Sequence, residues 1–133
     1  MSSDPTPPIQ VTFTPEFQRN LRQLAKKYRR IKTDVQPILD QLESGSKPGD
    51  QVSQVHYEVF KVRAKNSDAL KGKSGGYRLI YYAKSESEVV LITVYSKTEQ
   101  ADIAPEDIRQ IILDLEVAPA PDVAPEQEGN GTA

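Results

Sequence analysis

Tyr77-Arg78-Leu79-Ile80-Tyr81-Tyr82-Ala83 and Val89-Val90-Leu91-Ile92-Thr93-Val94-Tyr95, joined by Lys84-Ser85-Glu86-Ser87-Glu88, decide the fold. Both runs are rich in tyrosine and β-branched residues, whose side chains fit a pleated surface, and the polar joint fits an antiparallel hairpin. Val89 to Ile92 is apolar at every position, so this strand must be covered on both faces and is expected in the interior of a sheet. Working backwards, Phe60 and Val62 alternate with Lys61 and Arg63, which predicts a further strand over Val59 to Ala64. A polar, glycine-containing segment, Lys71-Gly72-Lys73-Ser74-Gly75-Gly76, separates it from the hairpin.

The first half of the chain has a different period. Ile9, Val11 and Phe13 alternate with polar residues and predict a short strand. Thr14-Pro15-Glu16 then supplies an N-cap oxygen, a proline at the first helical position and a carboxylate near the positive end of the helix dipole. Phe17, Leu21, Leu24, Ala25 and Tyr28 form one stripe, leaving Arg19, Arg22, Lys26 and Lys27 mainly on the wet side: a basic amphipathic helix. Val35, Ile38, Leu39 and Leu42 predict a second helix ending near Gly45, capped by Thr33 or Asp34 so that Pro37 falls in its first turn. Pro105 to Asp107 open a last helix with Ile108, Ile111, Ile112 and Leu115 on one stripe, to pack on the sheet or serve a partner. The expectation is an α+β fold of order β-α-α-β-β-β-α, a small antiparallel sheet with an N-terminal helical hairpin packed on one face.

A chain of 133 residues and 14.8 kDa is one domain in size. Residues 1–8 and 117–133 are poor in packable side chains and rich in proline, alanine and acids; they are expected to be a disordered leader and tail around a domain at 9–116. With no cysteine and a single histidine, His56, the chain has no disulfide framework, no thiolate or histidine metal cluster and no cysteine nucleophile; neither metal nor cofactor is expected. No apolar run approaches the length of a membrane span and the first residues do not resemble a signal peptide, so the cytoplasm is the expected location and no membrane contact is expected. P-loop, GxGxxG, HExxH and GxSxG patterns are missing as well.

The net charge of -2 and pI near 5.5 conceal an asymmetry. Residues 9–98 hold 16 Lys and Arg against 9 Asp and Glu, whereas residues 99–133 hold 1 against 9. Between Phe60 and Lys84 seven cations face one acid, Asp68. Lys61 and Arg63 at alternate strand positions share a face and can bracket one phosphate; Arg78 follows in the next strand and Lys97 closes the last. Such cations can position a phosphate, offset charge developing on it and take part in proton transfer; equally, a sheet can simply expose charged side chains to water. The Lys71 to Gly76 segment divides likewise between a phosphate-holding nest and a flexible connection. The acidic tail divides between solvated filler and an electrostatic cover.

Lys61-Val62-Arg63, the Gly72-Lys73-Ser74-Gly75-Gly76-Tyr77-Arg78-Leu79-Ile80-Tyr81-Tyr82 run, and Tyr95-Ser96-Lys97-Thr98-Glu99 with Asp102-Ile103 resemble the sheet core of the RelE/ParE toxin superfamily, closest to its HigB-like branch. The resemblance spans about residues 9 to 115 and implies the toxin of a type II toxin-antitoxin pair. The activity it implies is that of a ribosome-dependent mRNA endoribonuclease, or mRNA interferase, which cleaves by 2'-hydroxyl attack without metal. It also implies the alternatives of a ParE-like toxin that inhibits a topoisomerase by contact, and of a member that only binds its antitoxin. The catalytic positions it implies are Lys61 and Arg63 at the scissile phosphate, Arg78 on transition-state charge, and Lys97 as a phosphate contact or proton-transfer group. Lys65, Lys71, Lys73 and Tyr82 are further candidates for RNA contact. Relatives often carry another arginine and a C-terminal tyrosine or histidine-tyrosine pair; here Thr98 follows Lys97, and no Tyr or His occurs after Tyr95. The implied partners are a cognate antitoxin, of helix-turn-helix type and encoded adjacently, mRNA on the ribosome, and operator DNA only through the antitoxin complex.

Overall fold

A computed structural model describes residues 9–67, 76–97 and 102–117. The elements are β1 (Gln10–Phe13), α1 (Pro15–Lys27), α2 (Ile31–Glu43), β2 (Asp50–Gln51), β3 (Val59–Ala64), β4 (Tyr77–Ser85), β5 (Glu88–Ser96) and α3 (Pro105–Val117). The expected leader, the segment Lys71 to Gly75 and the tail beyond 117 lie outside the described residues.

The strands form one sheet in the order β1-β5-β4-β3-β2. The sequence reading expected an antiparallel sheet, but the sheet is mixed: β1 runs parallel to β5, with Val11 beside Val89 and Phe13 beside Leu91, while the other three pairs are antiparallel. Local alternation marks a strand without giving its direction, and here the α1–α2 hairpin crosses one sheet face before the chain returns through β3. The two-residue β2, paired to Phe60 and Lys61 of β3, is too short to leave a periodic signal. The expected interior position of β5, between β1 and β4, is observed.

Thr14 fastens the start of the first crossing to both the helix and the sheet. Its Oγ1 accepts the N–H of Phe17 at 3.0 Å, capping α1, and donates to the carbonyl of Ile92 in β5 at 2.6 Å. The second helix begins earlier than its expected cap. Neither Thr33 nor Asp34 caps it; it starts at Ile31 without a side-chain cap, and Pro37 sits inside the helix. Burial explains the difference: Ile31, Val35, Ile38 and Leu42 form one stripe inside the core, and the packing of Ile31 outweighs a missing cap and one lost backbone bond.

Each sheet face has its own core. Phe17 and Leu24 of α1 and the α2 stripe cover Val62, Ala64, Tyr77, Leu79, Tyr81, Val89, Leu91 and Val94. On the other face Ile108 and Ile112 of α3, with Val55, cover Val59, Ile80, Tyr82, Val90, Ile92 and Tyr95. The last helix thus packs on the sheet. No described helix is long and apolar enough to cross a membrane.

Candidate functional site

The second sheet face changes chemistry along its strands. Going along β3 from Val59, the positions of the same parity become Lys61 and Arg63; going back along β4 from Tyr82 and Ile80, the next is Arg78. The α3 helix packs against the apolar half, and the cations occupy the other half. The antiparallel register places Arg63 directly opposite Arg78, and Arg78 directly opposite Tyr95. Directly opposed residues on one face have Cβ atoms about 4.5–5.5 Å apart, so Arg63, Arg78 and Tyr95 form one row across three strands. Lys61 stands one same-face position along from Arg63, opposite Ile80.

Tyr95 reaches this face through an irregularity. Ile80 pairs with Thr93 and Tyr81 with Leu91, so β5 carries one extra residue there. Strict alternation would put Tyr95 on the face of Leu91, under the helical hairpin. The bulge shifts the phase by one, and Tyr95 packs in the other core. Lys97, exposed and two residues beyond Tyr95, donates its backbone N–H to the carbonyl of Gly76 at 2.9 Å, which carries the ladder past Arg78. Gly76 has φ +75°, and a Cβ there would collide with the carbonyl oxygen of Ala64. Gly49, at φ +96°, sits equally close to the backbone of Lys61, where an added Cβ would meet the Lys61 carbonyl oxygen.

Among the described residues, Asp102 is the acid bonded to this face. Lys61 Nζ lies 3.1 Å from Oδ2 and 3.3 Å from Oδ1 of Asp102, and the Tyr95 hydroxyl donates to Asp102 Oδ1 at 2.8 Å. The N–H of Ile103 donates to the same oxygen at 2.9 Å. Asp102 therefore ties the approach to α3 to β3 and β5 at once. Partial burial opposes its ionisation, but the Tyr95 hydroxyl, the Ile103 N–H and the Lys61 ammonium outweigh it and hold the carboxyl below its ordinary pKa. Burial, and then the hydrogen bond and charge of Asp102, push Tyr95 well above the usual tyrosine range despite the opposing pull of Arg78. At neutral pH the pair is a phenol donor and a carboxylate acceptor.

Lys61, Arg63 and Arg78, expected to act together, share this face, with Lys97 at the end of the adjoining strand. Lys65 is exposed just beyond β3. Tyr82, a candidate for RNA contact, is 8% exposed and packs edge to face on Tyr57, 5.5 Å between ring centroids. It belongs to the core beneath α3, at the apolar end of the face, because the parity that aligns it with Arg78 also carries it past Ile80. Lys71 and Lys73 lie outside the described residues. Sequence reading missed Tyr95 and Asp102 as site residues. No local signal marks Asp102, which lies outside any strand or helix and meets Lys61 from 41 residues away, and the signal for Tyr95 was hidden by the bulge.

A small α+β protein with a cationic half-face on one mixed sheet, closed at its apolar half by a C-terminal helix, is the class these features define. The model of the family described as the ParE toxin of the type II toxin-antitoxin system, parDE, matches residues 11–101, and the chain belongs to that family and so to the RelE/ParE superfamily. Among solved structures, a double arginine-to-alanine mutant of the E. coli toxin RelE in the free state is similar, at 16% identity and a TM-score of 0.49 over 81% of this chain and 97% of that one. TrmO from Pseudomonas aeruginosa is similar at 12% identity and a TM-score of 0.42, over 71% of this chain and 38% of that one. No curated protein sequence matches the chain significantly. Membership of a toxin-antitoxin family implies an antitoxin partner.

Proposed function

We propose that the protein is a toxin that cleaves mRNA on the ribosome, its cationic half-face holding the scissile phosphate. The observation that carries this reading is the direct opposition of Arg63 and Arg78, flanked by Lys61. Opposed like charges weaken a sheet, whereas two guanidinium forks converging on one phosphate gain from the same geometry. In the proposed reaction the 2'-oxygen attacks phosphorus, the bond to the 5'-oxygen breaks, and a cyclic 2',3'-phosphate and a 5'-hydroxyl result. The proton leaves the 2'-hydroxyl and one is delivered to the 5'-oxygen. Arg63 and Arg78 offset the charge that builds on the non-bridging oxygens. Lys61 and Lys97 hold the flanking phosphate oxygens and take part in the proton transfers. Lys65, Lys71 and Lys73 extend the contact along the strand of RNA, and neither metal nor cofactor has a role. The proposed setting is the bacterial cytoplasm, with a helix-turn-helix antitoxin encoded beside the toxin.

The matched family favours a second reading, a ParE-like toxin that inhibits a topoisomerase by protein contact. Such a toxin needs surface complementarity but no phosphate-directed arginines. Induction of the chain and of Arg78→Ala, with growth and antitoxin binding measured together, separates the two. The nuclease reading expects loss of growth inhibition with antitoxin binding intact, and unchanged toxicity overturns it.

A further inference from the structure

Asp102 is the acid that holds Lys61, and its placement has the form of a ligand's. Its two carboxylate oxygens take the Lys61 ammonium from β3 and the Tyr95 hydroxyl from β5. Those two side chains reach toward each other over β4, beside Arg78, which is the register partner of Tyr95. A carboxylate and a phosphodiester present the same feature to such donors, a pair of oxygens sharing one negative charge. Asp102 is itself exposed, its side chain retaining 55% of its accessibility and that of Lys61 35%, so a solvent-borne anion can reach the same donors. Tyr95 is held: its ring is buried in the core under α3, and its hydroxyl remains protonated far above neutral pH, so it offers a fixed donor to whichever oxygen lies before it.

We propose that Lys61 Nζ and the Tyr95 hydroxyl form a subsite for a phosphodiester oxygen of RNA, and that Asp102 occupies it as an internal competitor in the free toxin. This rests on the reading of the cationic half-face as an RNA site and adds to it a regulating acid and a further binding residue, Tyr95. Entry of a phosphate displaces the carboxylate from Lys61 and Tyr95, while Asp102 keeps the N–H of Ile103. Two effects follow: the free site is partly neutralised, and removal of the Asp102 charge strengthens RNA binding through Lys61 in particular.

The test uses the full chain and a short single-stranded oligoribonucleotide with 2'-O-methyl sugars, which binds but cannot be cut. Binding is measured over a salt series for the wild type, Asp102→Asn, Lys61→Ala, the double variant, and Glu106→Gln, an acid lost from the exposed start of α3 as a control for net charge. Asp102→Asn is expected to bind several-fold more tightly at low salt, with the slope of log affinity against log salt steeper by about 0.7, the value for one more phosphate contact on a single strand. The gain disappears in the Lys61→Ala background, Glu106→Gln shows little of it, and adding Tyr95→Phe to Asp102→Asn removes part of it. Asp102→Ala with unchanged helicity guards against an effect of the amide. RNA binding by the wild type with no gain in Asp102→Asn, or an equal gain in Glu106→Gln or in the Lys61→Ala background, overturns the competitor and leaves the RNA site standing. Absence of binding by every form, Asp102→Asn included, overturns both.

Discussion

Arg63 of β3 and Arg78 of β4 face each other directly across the antiparallel ladder, two cations at one rung of a sheet. That placement is unfavourable to folding and sets a first prediction. Replacing Arg78 by alanine removes like-charge repulsion and is expected to leave stability unchanged or raise it by up to about 1 kcal/mol, read from urea unfolding at low salt. Destabilisation by more than about 1 kcal/mol would make Arg78 a structural residue instead of one held in place for a phosphate.

Thr14 offers a sharper structural test, because one hydroxyl serves two elements. Thr14→Ala loses the cap on Phe17 N–H and leaves the Ile92 carbonyl without its hydroxyl donor, and about 2 kcal/mol of stability is expected to go with it. Thr14→Ser keeps the oxygen and is expected to lose less than half of that in the same denaturant series.

The docking of α3 predicts a contrast between neighbours on one helix. Ile112 is fully buried in the second core, and Ile112→Ala is expected to destabilise by about 2–5 kcal/mol. Leu113, one residue on, is 43% exposed, and Leu113→Ala is expected to stay within about 0.5 kcal/mol. Equal losses in thermal or urea unfolding would mean that the helix faces the sheet differently.

Acid tests the Asp102 contacts. The carboxyl has a lower pKa folded than unfolded, so its stabilisation is complete above the ordinary aspartate value of about 3.9 and is lost as pH falls through the lower folded value. The stability difference between wild type and Asp102→Asn is therefore expected to be constant from neutral pH down to about pH 5 and to shrink below about pH 4. A difference that grew on acidification would contradict the contacts of Asp102 with Lys61 and Tyr95.

The strands and helices were legible where one local pattern decided them. Phe60 to Ala64 alternates cleanly, and Thr14-Pro15 opens α1 where the sequence places it. What escaped depends on partners distant in sequence. The parallel pairing of β1 with β5 is set by the path of the helical hairpin, and the start of α2 at Ile31 by a buried stripe that outweighed better caps. The site followed the same division. Lys61, Arg63 and Arg78 share a face because parity in β3 and β4 is regular, whereas the bulge in β5 hid Tyr95, and Tyr82 has the right parity at the wrong end of the face. Asp102 stood outside any periodic element, so its meeting with Lys61, 41 residues away, could be seen only in three dimensions.

The central claim is that the cationic half-face acts on RNA. Mapping of mRNA 5' ends after induction of the wild-type chain and of Arg78→Ala, with translation running and with translation blocked, tests it most directly. New 5' ends in phase with codons are expected, present only for the wild type and only when ribosomes are translating. Intact mRNA in growth-arrested cells, accompanied by stalled replication, would contradict it and select the topoisomerase-binding reading.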